Sequence, residues 1–237
     1  WPTDMNYLKP ATWGQLAFGL PEFHPPVIPP EGSLVIRHGL NNAQVVDGEV
    51  GGGTDCGSDL DLYTEWGDTN YTGFDKINVQ NQYDLADWAC FSKIYITYPL
   101  EGIPPNKSIL SAKLTLYQFG NAGEGQIDPP PSSLIQIFMI NEDWTEQTLT
   151  WNNSPLAKEN VSRAWVGWLK QQPPWPGVAR TWDVSMAVSE AYQAGVPLRL
   201  ALYSADTPRH SGKYFTSSDT GDWNSQGRPT LVITWGK

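Results

Sequence analysis

Charge and long apolar runs are both scarce in this chain. Only 17% of the 237 residues are charged, and the formal net charge is −10. A phosphate backbone or an anionic membrane surface would repel such a chain, so we expect no nucleic acid among its partners. No apolar stretch approaches the ~20 residues needed to cross a bilayer, so no membrane span is predicted.

Catalytic motifs are missing as well. The sequence contains no GxSxG, HExxH or Walker motif, and its three histidines are too scattered for a zinc site. Glu142 and Asp143 beside Trp144 would suit a glycosidase acid in an aromatic cleft. The favoured alternative is that Trp144 and Trp151 are core residues and that Glu146 satisfies a turn. The sequence therefore predicts a protein that is not an enzyme.

Two cysteines, Cys56 and Cys90, leave two interpretations open. In a secreted chain they would form an intramolecular disulfide worth roughly 3–4 kcal/mol in the chain-entropy model. In a reducing compartment both would be small buried apolar residues. The start at Trp1 fits a mature secreted protein or an expression fragment. We predict a secreted or cell-surface protein with four N-glycosylation sequons, at Asn70, Asn106, Asn152 and Asn160.

Glycine, proline and tryptophan are abundant, with 22, 20 and 12 residues. Many short strands joined by Gly/Pro turns are typical of an all-β domain. The helical exception is the segment WDVSMAVSEAYQAG, with Ser185 as its N-cap and Gly195 just beyond its C-terminus. The sequence predicts an all-β jelly-roll β-sandwich with one short crossover helix.

The first 32 residues differ from the rest of the chain, which we predict to be the sandwich domain, residues 33–237. Seven prolines exclude a helix there, yet the segment is rich in large apolar side chains. We predict an extended proline-rich N-terminal arm that packs either on its own domain or on a neighbouring subunit. Its predicted interface residues are Trp1, Tyr7, Trp13, Leu16, Phe18, Phe23, Val27 and Ile28.

Two longer patterns carry a family resemblance. One is IPPNKSILSAKLTLY at Ile103–Tyr117, and the other is WTEQTLTWNN at Trp144–Asn153. Together with the closing pieces around Trp182, Arg228 and Trp235, they resemble the DNRLRE or disaggregatase-related domain. That domain is related to the family 96 carbohydrate-binding modules. The resemblance covers residues 44–237 and implies a non-catalytic extracellular β-sandwich.

Loop aromatics are the strongest functional signal of the sequence. Sugars stack on exposed rings, and so do neighbouring subunits, while loop anchoring is the alternative role. A neutral glycan is the expected ligand, because the net charge disfavours a polyuronate. The candidate carbohydrate-binding residues are Trp66, Tyr71, Trp165, Trp168, Trp175 and Trp223.

Alternating carboxylates in a Gly-rich loop suggest a structural calcium. Hard oxygen ligands suit this cation, and Asp55, Asp59 and Asp61 supply them; Asp219 and Asp222 form a second candidate pair. Solvated loop carboxylates are the alternative interpretation. No other cofactor is expected.

The leading functional hypothesis is a structural one. An apolar arm on an acidic sandwich suggests a subunit of an extracellular assembly, with a filament as one form, whose partners are other copies of the same chain. The alternative is a carbohydrate-binding module that recognises a neutral glycan, with polysaccharide as the partner.

Overall fold

The computed structural model describes residues 28–52, 66–81, 91–122, 129–205 and 211–237. Several predictions fall outside these ranges. They concern the N-terminal arm up to Val27, the pair Cys56 and Cys90, and the acidic residues Asp55, Asp59 and Asp61. The disulfide, the calcium site and the packing of the arm stay predictions.

Two antiparallel sheets make up the fold of the described residues, which confirms the predicted all-β sandwich. Sheet A contains β1 (Gly32–Arg37), β3 (Lys76–Val79), β5 (Ser108–Asn121), β8 (Val178–Asp183), β10 (Lys213–Thr216) and β11 (Thr230–Gly236). Sheet B contains β2 (Val46–Gly51), β4 (Ser92–Tyr98), β6 (Ser133–Met139), β7 (Glu159–Val166) and β9 (Leu198–Ser204).

The strand pairing is nested, as a jelly roll requires. Strand β6 pairs with β7, β5 with β8, β4 with β9 and β3 with β10. Successive pairs lie alternately in sheet B and sheet A, so the chain behaves as one long antiparallel hairpin wrapped around the core. Strands β1 and β11 then pair from opposite ends of the described chain.

The 14-residue strand β5 is the centre of sheet A. Lys113 pairs with Val232 of β11 on one edge and with Asp183 of β8 on the other. Gln118 likewise pairs with Phe215 of β10 and with Val178 of β8. Strands β11 and β10 therefore follow one another along one edge of β5, and β8 lies along the other edge.

Alternation along the strands fills the space between the sheets. On β5, Ala112, Leu114 and Leu116 face the core, and β6 and β9 contribute a matching series that includes Ile137 and Leu202. These residues form one buried cluster that spans both sheets. Continuous apolar contact of this kind is the main stabilising contribution for a domain of this size.

The predicted helix is present as α1, Ser185–Ala194. Gly195 ends it in the left-handed conformation, as expected, with φ 67°. Ser185 is the first helical residue rather than the N-cap, which corrects the sequence prediction. Asp183 Oδ1 accepts the Ser185 N–H at 2.9 Å, so the aspartate satisfies a free N–H group at the start of the helix. Within the described part of the chain, no helix is long and apolar enough to cross a membrane.

Two strands, β7 and β8, were not anticipated from the sequence. Strand β7 reads ENVSRAWV, in which polar and small residues outnumber large apolar ones, because one of its faces is exposed. Strand β8 reads VARTWD, and its inward Trp182 alone carries a strong core signal. Trp165, predicted to lie in a loop, is consequently a strand residue on β7.

The segment with the TEQTLTW pattern covers the outer face of sheet B. Leu149 packs with Val50 and Tyr95, and Trp144 and Trp151 pack against the same cluster. A side chain at Gly48 would come within 3.2 Å of Leu149, so the glycine leaves space for this cover. Trp144 and Trp151, predicted to be core residues, are partly buried and pack against this cluster from outside.

Glu146 fixes this cover to a distant loop. Its Oε1 accepts the N–H of Gly73 at 2.8 Å, and its backbone oxygen accepts Asn70 Nδ2 at 2.7 Å. The Asn70 amide also donates to the oxygen of Leu149 at 2.7 Å. Glu146 therefore satisfies a turn, as predicted, and burial raises the pKa of its carboxyl.

Beside this anchor, Asp47 of β2 is buried with half of its carboxylate unsatisfied. Its Oδ2 accepts the N–H of Ser218 at 2.7 Å, whereas Oδ1 has no hydrogen-bond partner among the described residues. Asp47 is only 2% exposed. Burial raises its pKa well above the ordinary value, and the nearby charges of Asp219 and Glu146 raise it further.

We predict that Asp47 makes stability decrease as pH rises. A carboxyl whose folded-state pKa exceeds its unfolded value of about 3.9 stabilises the fold fully below that value, and this contribution is lost as pH rises through the folded pKa. Asp47→Asn keeps an acceptor for Ser218 but cannot ionise. Its free energy of unfolding, relative to the native chain, should increase from about pH 4.5 to about pH 8 in urea titrations.

Asp183→Asn serves as the control, because the pKa of Asp183 is shifted in the opposite direction. Hydrogen bonds from the Ser185 hydroxyl and N–H lower the pKa of Asp183. The ionised Asp183 therefore stabilises the fold above about pH 4, and this stabilisation is lost as pH falls below that value. A pH-independent difference between Asp47→Asn and the native chain would show that Asp47 is ionised throughout, and would contradict the prediction.

Candidate functional site

Four aromatic side chains form a continuous surface on the outer side of sheet A, and we call it the aromatic patch: Phe119, Trp175, Tyr214 and Trp223. The rings of Trp175 and Trp223 meet edge to face, with centroids 5.0 Å apart and planes at 85°. Phe119 lies 5.9 Å from Trp175 and 6.3 Å from Tyr214. Trp175 is 48% exposed and Trp223 66% exposed, so both rings offer surface to solvent.

Strand alternation determines the positions of Phe119 and Tyr214 in the patch. Leu116 and Gln118 of β5 point into the sandwich, so Phe119 points outward. On β10, Lys213 and Phe215 are buried and Tyr214 between them faces outward. Tyr214 pairs with Gly120, where a side chain would come within 3.0 Å of the tyrosine ring. The glycine therefore leaves room for the tyrosine ring.

Trp175 is held at the end of the loop that leads into β8. The Trp175–Pro176 peptide bond is cis, and Gly177 follows with φ 105°. A side chain at Gly177 would lie 2.7 Å from the backbone oxygen of Gln118, so a glycine is required there. The chain then pairs at once with β5, which fixes Trp175 above Phe119.

A polar network beneath the sheet holds the same loop. Arg180 Nε donates to Gln118 Oε1 at 2.8 Å, and Gln118 Nε2 donates to Asn121 Oδ1 at 2.9 Å. Asn121 in turn bonds the backbone of Leu169 in both directions, at 3.0 and 3.2 Å. Arg180 also reaches the oxygen of Gly167 at 3.2 Å. The loop is thus fixed at several points before it presents Trp175.

Trp223 is positioned by an arginine from the predicted closing motif. Arg228 is buried, and its Nε donates to the oxygen of Thr220 at 2.8 Å. Its Nη2 donates to Asp222 Oδ1 at 2.9 Å. These bonds close the short 3-10 segment Asp222–Gly227. Gly221 completes the arrangement, because a side chain there would come within 2.9 Å of the Trp223 ring.

The chemistry of the patch suits stacking and hydrogen bonding rather than catalysis. Asp222, next to Trp223, pairs with Arg228 while its side chain stays 97% exposed, so its oxygens can accept hydrogen bonds from a ligand. The second calcium candidate, Asp219 with Asp222, stays a prediction. Among the described residues, no group of three or more His, Cys, Asp or Glu side chains is placed to hold a metal ion.

The six candidate aromatics separate into different environments. Trp66 packs against Trp151 at 4.7 Å in the interior, and Tyr71 is buried with its hydroxyl donating to the oxygen of Gly51 at 2.7 Å. We leave both out of the site. Trp165, 65% exposed, lies on β7 of the opposite sheet. Trp168 is half-buried in the loop before Trp175.

Phe119 and Tyr214 were not among the sequence candidates. Both sit on strands, where an aromatic residue is usually assigned to the core. Their position in the strand could have identified them, because each one alternates with residues that face inward. An aromatic residue at an outward strand position is the pattern that would have identified them.

A second set of rings surrounds a cation on the outer face of sheet B. Lys93 Nζ lies 4.0 Å from the ring centroid of Trp151 and 4.5 Å from that of Tyr203. Phe91 is 5.9 Å away. Burial lowers the pKa of the Lys93 ammonium, and the ring faces offset part of the lost hydration. The contact stabilises the cover formed by Trp151.

The comparison with known families matches the chain to a family of binding modules. The model of carbohydrate-binding module family 96 matches residues 61–235, which is more than half of the chain. Strands β1 and β2 precede the matched range but pair with β11 and β4 inside it. Among curated proteins, none matches the chain. The narrower resemblance to the DNRLRE domain stays a prediction.

We predict that the indole rings of Trp175 and Trp223 couple in circular dichroism. Two indoles at 5.0 Å with planes at 85° should produce an exciton signal in the far ultraviolet. Trp175→Phe and Trp223→Phe should each remove the contribution of this pair, and the double variant should remove no more of it than either single one. Trp165→Phe is the control, and it should leave the signal intact. Additive effects of the two patch variants would mean that the rings do not couple.

Proposed function

Because the chain belongs to carbohydrate-binding module family 96, we propose that it binds carbohydrate without catalysis and that the aromatic patch is the binding surface. The observation that carries the proposal is the exposed, fixed pair of Trp175 and Trp223. Flat sugar faces stack on such rings, and rigid rings lose little conformational freedom on binding.

A neutral glycan is the proposed ligand class. The exposed carboxylate of Asp222 adjoins the patch, and the chain carries a net charge of −10. A uronate or sulfate group would be repelled there, whereas a sugar hydroxyl can donate a hydrogen bond to the Asp222 oxygens. Phe119 and Tyr214 continue the row of rings beside Trp175, so a ligand of more than one sugar unit has further aromatic surface to contact.

We further propose that the domain acts outside the cell. Of the four sequons, Asn106 and Asn160 are exposed and open to a glycan. The side-chain amides of Asn70 and Asn152 already donate to Leu149 and Asp68, at 2.7 and 2.8 Å. Glycosylation, where present, is therefore expected at Asn106 and Asn160.

The role of subunit in an assembly stays a prediction. Of its proposed interface residues, Ile28 is described, and it lies beside Gly236 of the same chain. Residues 1–27 lie outside the described ranges, so no contact seen here supports a filament. The carbohydrate-binding proposal has the direct support of family and geometry.

The test is a binding measurement with a panel of soluble oligosaccharides. Burying about 60 Å² of one ring contributes about 1.5 kcal/mol, so Trp175→Ala and Trp223→Ala should each weaken binding about tenfold. Titration calorimetry and tryptophan fluorescence would measure the change. Neutral sugars should bind, and uronates or sulfated sugars should not.

Trp165→Ala is the matched control, because this side chain is as exposed as Trp223 but lies on the other sheet. The affinity of Trp165→Ala for each oligosaccharide should equal that of the native chain. Loss of binding in Trp165→Ala with no loss in the patch variants would move the site to β7. Binding of acidic sugars alone would overturn the ligand class, and binding of no sugar would overturn the function.

A further inference from the structure

An apolar groove lies at the end of the sandwich where β4 leaves sheet B. One part, a cavity of about 400 Å³, is lined by residues that include Leu34, Leu40 and Pro99. An adjoining part of about 240 Å³ is lined by residues that include Ile103 and Val196. Glu101 borders both parts. Both parts are open and lined mainly by apolar surface, so together they could receive an extended apolar segment.

The chain enters the sandwich at the same end. Glu31 donates its N–H to the oxygen of Trp235 at 2.8 Å, just before β1 begins. Its side chain pairs with Lys107 at 2.6 Å. A side chain on Gly236 would come within 2.6 Å of Ile28, so this glycine leaves room for the entering segment. Residues 28–31 are therefore held where the groove begins.

Lys107 connects the entry point directly to the groove wall. Its ammonium contacts Glu31, while its backbone N–H donates to the Tyr192 hydroxyl at 3.0 Å. Tyr192 lines the groove and also donates to the oxygen of Pro104 at 2.5 Å. Glu31 is thus joined to the groove wall through a single residue, Lys107.

The N-terminal segment has the composition that such a groove would accept. Residues 1–27 contain three charged side chains, Asp4, Lys9 and Glu22, among large apolar residues and prolines. Prolines keep such a segment extended and lower the entropy lost on docking. Residues 1–27 are also the part of the chain that leaves from this end.

We propose that the groove binds the chain's own N-terminal segment, residues 1–27. Because the segment is tethered to its own domain, we expect it to bind its own groove rather than the groove of another copy. A short tether holds the segment at a millimolar effective concentration, about a thousandfold above another copy at micromolar protein. The inference is independent of carbohydrate binding, because the groove and the aromatic patch share no residue.

Photo-crosslinking of the full chain tests the proposal. The variant Val196→p-benzoylphenylalanine places the probe in the groove at a position that is already exposed. Irradiation should join it to peptides from residues 1–27, about tenfold more than in the control Trp165→p-benzoylphenylalanine. Glu101→p-benzoylphenylalanine is a second probe, and it keeps the test valid where the first variant folds poorly.

Isotope mixing identifies the copy that supplies the segment. Equal amounts of ¹⁴N- and ¹⁵N-labelled variant are mixed before irradiation, and the joined peptides are weighed by mass spectrometry. Pairs of a single isotope support the proposal. Mixed pairs would overturn it in favour of an arm donated between subunits. Absence of any joined peptide from residues 1–27 at both groove positions would overturn it as well.

Discussion

The alternation of β5 is the constraint on which the rest of the structure depends. This strand pairs along both edges, so a shift of one residue would turn every side chain to the opposite face. Leu114 and Leu116 would leave the core, and Gln118 would lose Arg180 and Asn121. Phe119 would enter the core at the same time. The core, the loop before β8 and the aromatic patch therefore share one register.

The features of the fold that could be predicted are those encoded by a short continuous segment of sequence. The jelly-roll class, the helix before Gly195 and the packing roles of Trp144 and Glu146 follow from strand alternation, a helix end and a continuous pattern. Strand β7 was missed because the small Ala164 packs on the core while the large ring of Trp165 next to it faces solvent, which hides the period. Long-range pairing, which no single segment encodes, decides such cases.

The candidate site was predicted only in part, because it also depends on long-range contacts. Trp175 and Trp223 are 48 positions apart in the chain, and their contact depends on two loops that are fixed by Arg180 and Arg228. Composition alone gives Trp66 the same weight as Trp223, although one ring packs on Trp151 and the other faces solvent. Burial of a loop aromatic is a property of the assembled fold, so sequence reasoning cannot assign it.

The nested pairing also governs how the chain must fold. Strands β6 and β7 are close neighbours along the sequence, whereas β1 and β11 are separated by all the other strands of the sandwich. Loop closure becomes costlier with each successive pair, so ordering should begin at the inner hairpin and advance outward. On this argument the outermost pair should form last and open first. The groove and the entry segment around Glu31 lie beside that pair, so whatever covers them stabilises the fold at its kinetically weakest place.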